Sequence, residues 1–225
     1  MPAEKLVPFS VKDCALLTIA TGRRAYTLGE LRAGIAGAER DSIYFHFWGG
    51  LLQPRFEERE FNNDFAAWMR HGLHDSRLAE KLAVIDPREY TSLDLLRSDV
   101  VELIDERLDE AEYLHFSRAV QPFEFMRAQI VVFGTDKCVA CPEELAVLIP
   151  QLPASSIFYH FIDARRRVPE AGDDFSAWLV NFGARGDRIR ARLAQIDPYF
   201  IPLSVLRQQL AGAFADELEN GHVAG

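Results

Sequence analysis

The sequence predicts a mainly α-helical protein built from two tandem homologous domains of about five helices each. Three observations carry that expectation. First, the chain repeats itself: Ser42-Ile43-Tyr44-Phe45-His46-Phe47 returns as Ser156-Ile157-Phe158-Tyr159-His160-Phe161, and Asp64-Phe65-Ala66-Ala67-Trp68 as Asp174-Phe175-Ser176-Ala177-Trp178. Leu82 to Pro87 likewise returns as Leu193 to Pro198. Second, the blocks keep their order at a spacing of about 110 residues, far beyond the roughly 20–50 residues of stacked solenoid repeats. Third, helix start and stop signals stand at matching places in both halves.

Each half opens on an aromatic alternation, Phe9-x-Val11 or Phe123-x-Phe125, that runs into an apolar stretch, Ala15 to Ala20 or Ile130 to Phe133. A short strand and a buried helix both fit so few residues, and periodicity does not decide between them. A turn is expected next, at Thr21-Gly22-Arg23 or Thr135-Asp136-Lys137. It leads to an amphipathic helix with Leu28, Leu31 and Ile35, or Leu145, Leu148 and Ile149, on one face. Thr27-Leu28-Gly29-Glu30 is a capping box for that helix. Cys141-Pro142-Glu143-Glu144 stands in its place in the second half, with proline at the first helical position.

A second helix starts near Asp41-Ser42 or Ser155-Ser156 and carries the repeated histidine. After a polar loop, a third begins at Asn62-Asn63-Asp64 or Gly172-Asp173-Asp174 and carries the tryptophan. A fourth, Ser76 to Ile85 or Asp187 to Ile196, stops at Asp-Pro, because the residue before proline disfavours the α region. A fifth runs from Leu93 to Leu108 or from Leu203 to Leu218. The expected organisation is residues 1–111 as the first repeat, 112–121 as a linker, 122–219 as the second repeat and 220–225 as a flexible tail.

Of the 225 residues 48% are hydrophobic and 26% charged, the composition of an ordinary globular protein. The net charge of −9 argues against nucleic-acid binding, since a phosphate backbone demands a basic face. No apolar run approaches the roughly 20 residues that span a bilayer. The opening residues show no charged region followed by an apolar one, so no membrane association and a cytoplasmic location are expected. Three cysteines, Cys14, Cys138 and Cys141, form no disulfide framework. Cys141 reads as a helix N-cap, where the helix dipole would activate a thiol.

His46 and His160 are the first candidates for chemistry, because imidazole is the commonest general base and metal ligand near neutral pH. A core histidine with a buried partner would recur in both halves equally well. Asp64 and Asp174 read either as helix N-caps or as carboxylates that orient the histidines. Trp68 and Trp178 lie one turn after Phe65 and Phe175, as a core aromatic pair or as a stacking platform for a ligand. Asp86 with Arg97, and Asp197 with Arg207, read as structural ion pairs. His71 and His74 share a helical face, but no third ligand is indicated and no metal is assigned. Thr21-Gly22-Arg23, before a helix N-terminus, has the parts of a phosphate site.

Thr21-Gly22, Tyr44-Phe45-His46-Phe47 and Asn63-Asp64-Phe65-Ala66-Ala67-Trp68 resemble the motifs of a bacterial family catalogued only as a domain of unknown function. The resemblance covers almost the whole chain, each half being one copy, and implies no particular activity. The second half departs from it at Asp136 and Asp173, so a site built on the glycine or the asparagine belongs to the first half.

The residues therefore predict a non-catalytic binding or regulatory module whose partner is a protein or a small anionic ligand. The alternative is a metal-assisted hydrolase, or another enzyme, that uses the His/Asp pairs. No Walker, Rossmann or G-x-S-x-G pattern is present. No residue is assigned a catalytic role, and neither cofactor nor oligomeric state is legible.

Overall fold

The computed structural model describes residues 7–52, 60–168 and 172–220, with side chains as far as Asp216. Two strands of 17 residues each, β1 (Phe9–Ala25) and β2 (Phe123–Val139), pair as a two-stranded antiparallel sheet. This corrects the expected fold class. The chain is rich in helix, but it is not a pair of tandem helical domains. The segments read as a short strand or buried helix followed by a turn are two long uninterrupted strands.

The reason lies in residues that a short window hides. Val11, Thr18, Ile19 and Thr21 in β1, and Val131, Val132 and Thr135 in β2, are β-branched and favour extended backbone. Period-2 burial is clear only where each strand starts, with Phe9, Val11, Phe123 and Phe125 inside and Ser10, Lys12 and Glu124 outside. The expected Thr21-Gly22 turn lies within β1. Gly22 has φ +77°, a left-handed conformation that only glycine adopts without strain, and β1 continues to Ala25.

The chain divides into a continuous unit, Leu16–Ile130, and a split unit, Met1–Ala15 with Val131–Gly225. The boundary falls inside both strands. Each unit therefore receives the buried aromatic start of one strand and the exposed remainder of the other.

In the continuous unit α1 (Leu28–Ala36) starts at Thr27 with the reciprocal capping box that the sequence predicts, and it buries Leu28, Leu31 and Ile35. Gly34 in α1 lies directly against Phe125, and a Cβ there would come within 2.2 Å of the ring. α2 (Arg40–Trp48) is buried from Ser42 to Trp48. α3 (Asp64–His71), α4 (Ser76–Ala83) and α5 (Leu93–Glu110) are capped by the side chains of Asn63, Asp75 and Ser92. α5 packs on α1, α2 and α4, and buries Leu96, Val100 and Ile104.

Arg107 of α5 is almost fully buried and donates to Asp75 Oδ2 from Nε at 3.0 Å and Nη2 at 2.8 Å. The stretch expected as a linker holds a 3-10 turn, Glu112–His115, with Leu114 buried. The Ala119 N–H donates to Tyr26 O at 2.8 Å, and Arg118 stacks 4.3 Å over the Tyr26 ring.

In the split unit α6 (Pro142–Leu148) begins at Cys141. α7 (Ala154–Ile157) passes into a π-helical turn, Phe158–Ile162, and then a 3-10 turn, Asp163–Arg166. α8 (Asp174–Leu179), α9 (Gly183–Leu193) and α10 (Leu203–Asn220) complete the unit. α10 packs on α6, α7 and α9 around Phe158, Phe175, Leu206 and Phe214. The expected tail from residue 221 onward lies outside the described residues.

The expected Asp–Arg pairs are replaced by other bonds. Asp86 pairs with Arg88, while Arg97 donates to Ala38 O and Arg207 to Leu152 O, both at 2.9 Å. Each arginine thus holds the carbonyl that precedes α2 or α7.

Candidate functional site

The histidine-bearing helices carry their rings into aromatic cores. His46 and His160 are both 2% exposed. His46 packs against Phe65 and Phe123, and His160 against Phe9 and Phe175. In the continuous unit the Met126 N–H donates to His46 Nε2 at 3.2 Å, and His46 Nδ1 lies 3.0 Å from Asp64 Oδ2. In the split unit the Lys12 N–H donates to His160 Nε2 at 2.9 Å, and Nδ1 lies 2.8 Å from Asp174 Oδ2.

A backbone N–H only donates, so in each ring Nε2 is the acceptor and the proton sits on Nδ1, donated to the carboxylate. Neither nitrogen is left to bind a metal or to take a proton from a substrate. Neighbouring hydroxyls reinforce the same seams: Ser42 Oγ donates to Met126 O at 2.7 Å and Ser156 Oγ to Lys12 O at 2.9 Å.

Asp64 and Asp174 are therefore brought to the histidines, and the N-cap positions belong to the residues before them. Asn63 Oδ1 accepts from Ala66 N, and Asp173 Oδ1 from Ser176 N. Arg167 binds Asp174 Oδ1 at 3.0 Å and Tyr159 O at 2.7 Å, stacking 3.9 Å over the Tyr159 ring. Arg167 thus closes the His160 cluster. Trp68 and Trp178 lie on the same seams, and their indole N–H groups donate to Gln121 O at 3.0 Å and Val7 O at 2.9 Å.

Thr21 and Arg23 lie elsewhere, on an open cleft of about 410 Å³ in the continuous unit. Thr21 Oγ1 donates to Phe125 O at 2.7 Å, and Arg23 Nη1 to Gly37 O at 2.9 Å. The Arg23 guanidinium stands 5.8 Å from the Phe125 ring centroid. Arg127, Ser42 and Glu39 complete the polar lining, with Ile19 and Ala38 as apolar wall. Arg127 is exposed and makes no ion pair among the described residues.

Sequence reasoning passed over Arg127 and Ser42. They join Thr21 and Arg23 only through strand pairing and the packing of α2, which no local pattern records. Gly22 is not among the lining residues, so the predicted Thr-Gly-Arg trio contributes two members.

Cys141 is the N-cap of α6 as expected, yet burial and the neighbouring Glu143 push its thiol up rather than down. Cys14 is buried, and burial with Asp13 pushes its thiol up to about 12. His71 Nε2 lies 2.9 Å from Glu60 Oε2, while His74 adopts φ +58° beyond the end of α3. Among the described residues no three His, Cys, Asp or Glu side chains converge as metal ligands. No helix among them is long and apolar enough to cross a membrane.

The structure resembles the solved structure of OrfY from Thermoproteus tenax, with a TM-score of 0.79 and 26% identity over 96% of this chain and 97% of that one. No curated protein matches the chain. The sequence matches a family model, the family of unknown function DUF5752, across residues 6–215. Strands, histidine seams and cleft all fall within that span, and the chain belongs to DUF5752.

Proposed function

We propose that this protein is a non-catalytic binding module whose ligand is a small anion seated in the cleft lined by Thr21, Arg23, Ser42 and Arg127. The observation that carries the reading is the division of labour between two sets of residues. The histidines of the His/Asp pairs are buried with both ring nitrogens engaged. The open, positively charged concavity lies on other side chains.

Arg23 is held in place by Gly37 O and presents its charge at the wall. Arg127 offers a planar fork that suits a carboxylate or phosphate. Ser42 lines the cleft and gives its proton to the strand, which leaves its oxygen only acceptor capacity for a donor group of the ligand. Phe125, Ile19 and Ala38 add apolar wall, so an anionic group on a compact organic body fits better than a bare ion.

The sequence counterparts in the split unit do not reproduce the site. Val11 stands where Phe125 does, Asp13 where Arg127 does, and Pro153 where Glu39 does. An acidic residue in place of the open guanidinium removes the attraction for an anion.

A thermal-shift screen against inorganic phosphate, sugar phosphates and small carboxylates tests the reading. A ligand at a hundredfold excess over its dissociation constant adds about 2.7 kcal/mol of apparent stability. The expected result is a shift that Arg127→Ala removes while the unliganded melting temperature holds. A shift that survives Arg127→Ala and Arg23→Ala but disappears in Asp64→Asn would move the site to the histidine seam and overturn the proposal.

A further inference from the structure

A second concavity, about 220 Å³ in volume, lies wholly in the split unit between the turn after α7, the start of α8 and α9. Its polar wall is Arg165, Asp173, Ser176 and Arg190. We propose that this pocket is a binding site for a small oxyanion, taken up together with a proton on Asp173. The inference is independent of the cleft on Arg23 and Arg127.

The pocket differs from its sequence counterpart by concerted changes. Asn63, Ala66 and Ala79 of the continuous unit correspond to Asp173, Ser176 and Arg190. Asn63 caps α3 and also donates from Nδ2 to Leu82 O at 2.8 Å, and Ala66 and Ala79 are fully buried. Among the described residues that place is closed and neutral. In the split unit it is open, and its described lining carries the guanidinium groups of Arg165 and Arg190 and the carboxyl of Asp173. A structural cap alone needs none of these changes, because asparagine already supplies it.

Arg190 shows what is missing. Its Nη1 reaches Asp187 at 3.1 Å, but its Nε–H is buried and meets no acceptor among the described residues. A buried donor without an acceptor is costly, and an oxyanion oxygen in the pocket supplies one. The volume is several times the roughly 30 Å³ share of a water molecule, enough for a small oxyanion with part of its hydration.

Asp173 is the group that opposes an anion. Its Oδ1 accepts from Ser176 N at 2.8 Å and its Oδ2 lies 2.6 Å from Ser176 Oγ. Burial pushes this carboxyl up to about 6, against the pull of Ser176 and Arg165. Of the charged groups around it, Arg165 comes from the turn after α7 and Arg190 from α9. His160 and Arg167 face Asp174 instead. An arriving anion raises the carboxyl further, so binding takes up a proton and weakens as pH rises through about 6. The pocket binds as if only its protonated fraction were competent.

The test uses inorganic sulfate, which does not itself titrate in this range, with calorimetry at pH 5.0 and 7.5 and nitrogen-resolved NMR of the arginine Nε–H groups. The expected result is saturable binding at pH 5.0 that shifts the Arg190 signal and weakens by up to about 30-fold at pH 7.5. Arg190→Ala abolishes this binding, whereas Arg127→Ala leaves it. Asp173→Asn keeps the binding and flattens its pH dependence.

Both substitutions install the residue found at the same place in the continuous unit, and unchanged circular dichroism confirms the fold. Absence of binding at pH 5.0, or binding that Arg190→Ala leaves intact, would falsify the proposal without touching the cleft in the other unit. Binding of equal strength at both pH values would overturn the proton coupling.

Discussion

The backbone N–H of Met126 donates to Nε2 of His46, and this single bond fixes the tautomer of a buried ring and joins β2 to α2. Lys12 and His160 repeat the relationship between β1 and α7 with its π-helical continuation. In each case the ring's other nitrogen reaches an aspartate at the first position of the next helix. One side chain therefore ties a strand to two helices. The repeated residues that look most like chemistry in the sequence have both ring nitrogens bonded within the protein.

Replacing His46 by alanine leaves the Met126 N–H and the Asp64 carboxylate without this partner and opens space beside Phe65 and Phe123. The expected loss is about 2–4 kcal/mol of unfolding free energy. Urea denaturation followed by circular dichroism reads it directly. A variant as stable as the wild type contradicts the structural role.

The histidine joint also marks how far the sequence could be read. The helix start at Thr27 was legible because its capping box is local, as was the buried face of α1. The strands were not. Ala15 to Ala20 is too short to show a period, and Gly22 suggests a turn to anyone who cannot see that β1 continues through it. The bond that decides the role of His46 comes from Met126, 80 residues away. The Arg127 wall of the cleft is equally non-local, and with Asn63 rather than Asp64 as the cap, α3 begins one residue earlier than an Asp64 cap would place it.

Gly34 of α1 lies directly against the ring of Phe125, a residue of the cleft wall. A Cβ at position 34 would meet the ring at 2.2 Å, so Gly34→Ala is expected to destabilise by about 1–3 kcal/mol through overpacking. Combining it with Phe125→Leu should recover part of the loss, measured as a coupling energy in a double-mutant cycle. Independent, additive effects would contradict the contact.

Arg107 and Asp75 form a buried pair at 2.8 Å. Burial pushes the Asp75 carboxyl up, but the bonds from Arg107, Leu78 N and Tyr113 outweigh it and hold the group below the ordinary carboxylate range. The contribution is therefore present above about pH 4 and lost as pH falls through the folded-state value. Arg107→Met strands a buried charge and should cost about 3–5 kcal/mol at pH 7. It should also flatten the acid limb of a stability profile, measured by denaturant midpoints from pH 2 to 5.

Asp173 has the opposite sign. Its carboxyl is raised to about 6, so the folded state holds the proton more tightly than the unfolded chain does. Its contribution is complete below about pH 4 and lost as pH rises through about 6. Asp173→Asn removes that slope and should leave the protein more stable at pH 7.5, by on the order of 2 kcal/mol. Calorimetric melting at pH 5.0 and 7.5 for both proteins checks it, and a variant less stable than the wild type at pH 7.5 contradicts it.

The most direct test of the division between joint and cleft is an NMR titration of the full chain with inorganic phosphate, observing the His46 ring nitrogens and the signals of Ser42, Arg23 and Arg127 together. The account predicts saturable shifts at Arg127, Arg23 and Ser42, with the His46 ring remaining the Nδ1–H tautomer and its Nε2 signal unmoved. Shifts that begin at His46 and Asp64 and leave Arg127 untouched would contradict it.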